Sequence, residues 1–174
     1  DARLWMRHSV ISPDGTTIAF TYKGDIYTVP VAGGRAMQIT TNPAYDTAPV
    51  WSPDSKRIAF ASDRMGSLDV YIVAKDGGEP RRLTTHSGSE TPLAFTDAGH
   101  VLFSAGIMPS AEAVVFPSNG QFNQVYRVSV EGGRPTMISS MPMECISINK
   151  EGAMLYQDKK GYEDYWRKHH VSPI

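Results

Sequence analysis

The chain has a single cysteine, Cys145. That excludes an intrachain disulfide and any metal centre built on clustered cysteines, and it leaves the redox compartment open. Cys145 itself reads as a small buried apolar residue. Neither charge is in excess: 17 Lys and Arg stand against 18 Asp and Glu. No basic footprint for nucleic acid is present. No apolar run approaches the roughly 20 residues of a membrane-spanning helix, so membrane insertion is not expected. Helical periodicity is missing throughout. So is the nucleophile-elbow pattern G-x-S-x-G, and nothing calls for a cofactor. With 41% hydrophobic and 20% charged residues, the chain has material for a packed core and no signature of disorder. It begins at Asp1 rather than Met, which reads as a processed chain or an excised piece of a longer one, with any signal peptide out of view.

What is present is a repeat. Val50-Trp51-Ser52-Pro53-Asp54-Ser55-Lys56-Arg57-Ile58-Ala59-Phe60 reads as strand, tight turn, strand. Proline presets φ at the second turn position and aspartate follows comfortably. The unit stands earlier at Ser9–Phe20, and later, more weakly, at Leu93–Phe103 and Ile146–Tyr156. Its turn positions Asp14, Asp54, Asp97 and Lys150 lie 40, 43 and 53 residues apart. A period of about 40–45 residues marks a β-propeller blade. Each of the first three repeats continues with a strand holding Tyr27, Tyr71 or Tyr126, a Gly-Gly pair, and an ending Thr40-Thr41, Thr84-Thr85 or Ser139-Ser140. The glycines supply the positive φ of tight hairpins. The tyrosines and Trp51 read as packing residues.

The expected fold is therefore all-β: a β-propeller of four-stranded antiparallel blades, strands A to D joined as a meander. In the second strands, Ile18 and Phe20 face one way and Ala19 the other, a pattern repeated by Ile58, Phe60 and Ala59. Strands apolar on both faces need cover on both sides, which blades stacked around an axis provide. The boundaries read are 9–41, 48–85 and 92–140 for three blades, with a partial fourth at 144–174. Residues 158–174 lack a Gly-Gly turn and read as a B–C connection that stops before its C strand. The chain is then a partial propeller of about three and a half blades, since closed rings take about four to eight. Such an arc leaves open edges and favours self-association. The alternative is a four-bladed ring with Tyr162 to Lys168 as its last strand.

Antiparallel alternation gathers the B–C and D–A connections at one rim, and long or irregular connections tend to carry function. The candidate peptide- or partner-binding residues there are Tyr45, Asp46, His86, Glu90 and Glu144, with Glu163, Asp164, Arg167, His169 and His170 in the aromatic, charged tail. That tail reads as one wall of a peptide-binding mouth or as a solvated loop. The apolar insertion at 105–122 reads as a docking surface or as a loop folded back over its own blade. Asp63 and Arg64 are expected to pin their turn to each other. Ser87, His86 and Glu90 form a triad on paper only, and no catalytic residue is assigned. His169 and His170, adjacent in an extended chain, point opposite ways and make a poor metal site; no metal is expected.

The pattern W-S-P-D-x-x-x-I-A-F, then D-[IV]-Y, G-G and L-T-T, resembles the TolB-like, WD40-like propeller repeat, also found in the N-terminal propellers of tricorn-like serine peptidases. Leu4-Trp5-Met6-Arg7-His8 leading into Ser12-Pro13-Asp14-Gly15, and Gln157–Gly161 with Trp166–His170, look like the start of a periplasmic tricorn-like protease. In that family the peptidase serine lies in a much later domain, to which no stretch here corresponds. The resemblance implies a periplasmic or secreted, non-catalytic segment that guides or filters peptides and scaffolds an assembly. Its partners would be peptides or other domains of a parent protein. The alternative is a TolB-like docking module with no enzyme attached. A propeller enzyme with its site in the channel has no histidine cluster to support it.

Overall fold

The computed structural model describes residues 6–86, 88–106, 124–139, 143–149, 153–158 and 169–173; of residues 143–146, 157, 158 and 169–173 it describes the backbone alone. Among the described residues there is no helix. Four antiparallel sheets follow one another along the chain. The first holds β1 (Arg7–Ile11), β2 (Thr17–Tyr22), β3 (Asp25–Pro30) and β4 (Met37–Gln38). The second holds β5 (Asp46–Trp51), β6 (Arg57–Ser62), β7 (Asp69–Ala74) and β8 (Arg81–Arg82). The third holds β9 (Glu90–Asp97), β10 (His100–Ala105), β11 (Gln124–Ser129) and β12 (Thr136–Ser139). The fourth holds β13 (Met143–Ile148), β14 (Ala153–Asp158) and β15 (His169–Pro173). In every sheet neighbours in sequence are neighbours in space, so each is a meander. The sheets are blades of a propeller that is not closed into a ring.

The first turn of each repeat explains its sequence. In blade one the Gly15 amide donates to the Ser12 carbonyl (2.8 Å) and the Ser12 hydroxyl donates to Asp14 Oδ1 (2.6 Å). The Thr17 amide in turn donates to Ser12 Oγ (3.0 Å). Blade two repeats this with Ser55 to Ser52 (2.9 Å), Ser52 to Asp54 (2.5 Å) and Arg57 to Ser52 Oγ (2.9 Å). The chain leaves both turns through a left-handed residue, Gly15 at φ 72° and Ser55 at φ 58°, and glycine adopts that conformation without a Cβ penalty. The turns also grip across blades. The Asp14 amide donates to Ser55 Oγ (3.1 Å), Trp51 Nε1 donates to the Val10 carbonyl (3.2 Å), and the Arg57 guanidinium donates to the Ala98 carbonyl.

Packing follows the period-two alternation of the second strands. Phe60 stacks on Tyr71 across β6 and β7 (5.9 Å) and faces the first sheet, among Ala19, Ile26 and Ile39. Ala59, one residue earlier, faces the third sheet, where Phe103 stacks on Tyr126 (5.7 Å). Leu102 in turn packs toward Met154 and Tyr156 of the fourth sheet. The rule is uniform: the aromatic points back to the preceding blade, and the residue before it points on to the next.

The fourth sheet departs from the sequence reading. Residues 158–174 do not run only as a connection that stops before its C strand. His169–Pro173 pairs with β14, Tyr156 opposite His170 and Gln157 opposite His169. Among the described residues this blade therefore has three strands. Neither the Asp-Ile-Tyr pattern nor the Gly-Gly pair that follows the other C strands marks residues 158–174, so the cue was missing, and β14's free hydrogen-bonding edge supplied the pairing. The strand proposed at Tyr162 to Lys168 and most of the 105–122 insertion lie outside the described residues.

Because Phe103 is fully buried between two blades, Phe103→Ala is expected to cost about 3–5 kcal/mol in urea unfolding. Leu155→Ala, at a residue 47% exposed, is expected to cost under about 1 kcal/mol.

Candidate functional site

The B–C and D–A connections meet at one rim, and two repeated devices build it. The first closes the outer corner of blades one and two. The Ile26 amide donates to Thr40 Oγ1 (3.0 Å), and the Val70 amide donates to Thr84 Oγ1 (2.9 Å). Both threonines are buried. A hydroxyl used this way replaces the missing strand carbonyl, and its proton remains free for an acid. Thr40 passes it to Asp25 Oδ1 (3.5 Å) and Thr84 to Glu90 Oε2 (2.5 Å). The second device hangs each first strand on the preceding blade. The Asp46 amide donates to the Gly24 carbonyl and the Glu90 amide to the Leu68 carbonyl, each at 2.7 Å.

These devices put acidic side chains into the blade junctions. Asp46 is fully buried, with Arg64 Nη2 3.2 and 3.1 Å from its two oxygens. Arg64 Nε donates to Ser62 Oγ (2.8 Å), and the guanidinium lies 4.4 Å over the Tyr71 ring and 5.6 Å from Phe60. A planar cation on an aromatic face, with a carboxylate along its edge, uses both binding modes of arginine. Asp63, expected to hold Arg64, instead accepts the Tyr45 amide on Oδ1 (2.8 Å). The correction has a physical reason. Asp46 is buried and needs a cation, whereas an exposed ion pair within a turn gains little.

At the next junction Asp69 and Glu90 are both fully buried. Arg82 Nη2 lies 2.8 Å from Asp69 Oδ2. Glu90 Oε1 has no hydrogen-bond partner, and His86 Nδ1 lies 3.5 Å from it. Burial pushes the Glu90 carboxyl up to about 7, against the pull of the Thr84 hydroxyl and with the negative charge of Asp69 adding to the rise. Asp25 is also raised, first by burial and then by Asp46. At the opposite rim hydrogen bonding wins: the Ser12 hydroxyl, then the Thr16 amide and hydroxyl, hold Asp14 down to about 2.

Of the sequence candidates, the structure draws His86 and Glu90 together and buries Asp46 away from solvent. Tyr45 stays 42% exposed, with Gly24 beside its ring. Glu144 pairs with Gln157 on the backbone, and His169 and His170 lie on β15; their side chains are outside the description. Glu163, Asp164, Arg167 and Ser87 are outside the described residues. Among the described residues no three of His, Cys, Asp and Glu converge to hold a metal ion. Sequence reasoning missed Asp25, Asp69, Thr40, Thr84 and Arg82. The signal was available: Asp25 to Thr40 and Asp69 to Thr84 share one spacing of 15 residues.

Comparison with known proteins agrees with this architecture. The family described as the tricorn protease N-terminal beta propeller domain matches residues 3–171. Tricorn protease homolog 1 of Streptomyces coelicolor is 36% identical over 91 residues, 52% of this chain and 8% of its own length. TolB of Acinetobacter baumannii superposes with a TM-score of 0.74 at 18% identity, covering 100% of this chain and 42% of its own. The tricorn protease crystal structure gives 0.63 at 13% identity, covering 95% of this chain and 21% of its own. The structural likenesses show the fold, and this chain spans well under two thirds of each of these proteins.

Removing Arg64 leaves Asp46 buried without a cation. Arg64→Ala is expected to lower unfolding free energy by about 3–5 kcal/mol. Adding Asp46→Asn should recover a large part of that loss, a coupling that urea titration of the two single variants and the double variant measures.

Proposed function

Since the chain belongs to the tricorn protease N-terminal β-propeller family, we propose that it is a non-catalytic segment of a tricorn-like peptidase, one that guides or filters peptides and scaffolds the assembly. The family match over residues 3–171 carries the reading. The rim adds support. It joins an exposed aromatic, Tyr45, to the irregular B–C and D–A connections, while the opposite rim is closed by short Ser-Pro-Asp and Gly-Gly turns. Peptide contacts then fall to Tyr45, His86 and the tail that carries Glu163, Asp164, Arg167, His169 and His170. The likeness to TolB and to tricorn homologues supports a periplasmic or secreted location. It also favours a second reading, a TolB-like docking module that binds folded proteins without any peptidase.

The purified chain is expected to hydrolyse neither casein nor short peptides, and to bind short labelled peptides in fluorescence anisotropy. Tyr45→Ala should weaken that binding about fivefold, roughly 1 kcal/mol. Hydrolysis abolished by Ser87→Ala would overturn the reading. Failure to bind peptides, with capture of a folded partner, would favour the docking module.

The unclosed arc carries a further part of the proposal: its open faces are covered by other domains of the parent or by another copy. Leu155 supports this, being 47% exposed where the equivalent Ala59 and Leu102 are fully buried. Apolar burial contributes about 25 cal/mol per Å², so a few hundred Å² left open drives association by several kcal/mol. Sedimentation velocity at micromolar concentration should show species above the 19.1 kDa monomer. A clean monomer with little binding of a hydrophobic dye would count against it.

A further inference from the structure

The junction of the second and third blades holds more acid than base. Asp69 is matched by Arg82 at 2.8 Å. Glu90 is fully buried beside that pair and has no cation of its own. His86 Nδ1 lies 3.5 Å from its free oxygen, and the Asp69 carboxylate beside it acts on Glu90 through its charge and as a hydrogen-bond acceptor. Yet His86 Nδ1 already accepts the Gly88 amide hydrogen (3.1 Å). A ring nitrogen that accepts carries no proton to give. Its one lone pair is taken, so His86 Nδ1 neither donates a hydrogen to Glu90 nor accepts one from it. What favours the protonated acid is burial and the neighbouring Asp69 carboxylate, which repels an ionised Glu90 and can accept the acid's hydrogen. With it, the cluster is neutral; without it, one negative charge is buried and unmatched, which is costly in a low-dielectric setting.

We propose that Glu90 is a proton-controlled latch: protonated, it closes the corner that joins the second blade to the third, and loss of that proton opens the corner. The inference stands on this chain's own geometry and not on the peptidase reading. The latch is well placed because the elements it touches are joints. Its other oxygen takes the Thr84 hydroxyl (2.5 Å), and Thr84 holds the Val70 amide, so the end of β8, the start of β7 and the start of β9 are tied through one carboxyl. The Glu90 amide is itself bonded to the Leu68 carbonyl (2.7 Å).

Among the described side chains, the titratable and charged groups facing Glu90 are Asp69 on β7, Arg82 on β8 and His86 on the connection. Behind Asp69 stands the Asp46–Arg64 pair, which is internally matched. On the same sheet row, Ala105 of β10 and Gln124 of β11 follow Glu90. Gln124 is neutral and its Oε1 takes the Tyr126 hydroxyl (2.6 Å). Arg82, already paired with Asp69, is the one cation among them and only partly offsets the charge of an ionised Glu90.

The sign of the pH effect follows. In the unfolded chain Glu90 ionises at its ordinary value of 4.5, while the closed corner keeps the proton up to about 7. The latch's contribution is full below pH 4.5 and is lost as pH rises through 7. The carboxylates held low at the opposite rim, Asp14 and Asp54, act in the reverse direction and only at acid pH, outside this window.

The test is hydrogen exchange on the whole chain at pH 5.5 and 8.5, read as protection factors so that intrinsic exchange cancels. In the wild type, protection of the Val70, Leu83 and Glu90 amides is expected to fall about tenfold or more between the two. In Glu90→Gln, which keeps the shape of the protonated acid, the change is expected to stay under about twofold. Carbon-13 titration of the Glu90 carboxyl in the wild type reads the same proton directly and does not depend on the variant folding. A midpoint near 7 supports the latch. A midpoint at or below 4.5, or equal loss of protection in wild type and Glu90→Gln, overturns it.

Discussion

Every other feature of this chain depends on one constraint: its sheets are apolar on both faces. Ile58 and Phe60 look back toward the first blade while Ala59 looks forward to the third, and all three are fully buried. A sheet of this kind cannot stand alone or as one half of a sandwich, because either leaves a wet apolar face. The stacked Phe–Tyr pair recurs in three blades at nearly one geometry, with centroids 5.7 to 5.9 Å apart and interplanar angles of 20° to 28°. The repetition reflects the joint it fills: the Phe60 pair packs back on Ala19 and the Phe103 pair on Ala59, each the small residue before the preceding blade's aromatic.

Stacking leaves polar work at both ends, and the two ends solve it oppositely. At the Ser-Pro-Asp rim each aspartate is exposed and surrounded by hydroxyl and amide donors, so the charge is welcome. At the other rim Glu90 is enclosed by the blade junction and receives one hydroxyl. The same functional group is held down to about 2 in one place and pushed up to about 7 in the other. Environment alone makes the difference, through the count of donors set against the loss of water.

Local chemistry made most of the fold legible. Ser-Pro-Asp, the paired glycines and the alternation of Ile58, Ala59 and Phe60 are short-range signals, each tied to a turn or a strand face. Where such signals stop, legibility stopped with them, and β15 was not anticipated because neither Gly-Gly nor Asp-Ile-Tyr announces it. The rim was harder. Arg64 looked like a partner for Asp63 because the two are adjacent, but its partner is Asp46, 18 residues back at the start of the adjoining strand. Charge pairing of that kind is decided by which acid is buried, and burial belongs to the assembled sheets. Thr40 and Thr84 were visible as a repeat ending, while their role as stand-ins for a strand carbonyl needed the backbone in place.

The way each first strand hangs on the preceding blade bears on how such a molecule grows. Residues 46–89 contain both halves of the joint: a donor at Asp46 that reaches backward and an acceptor at Leu68 that waits for the next copy. A gene segment of this kind, duplicated in frame, brings its own connector and needs no compensating change in its neighbours. Copies can therefore be added one after another without inventing a new interface, and the limit on their number is the curvature at which the last copy meets the first.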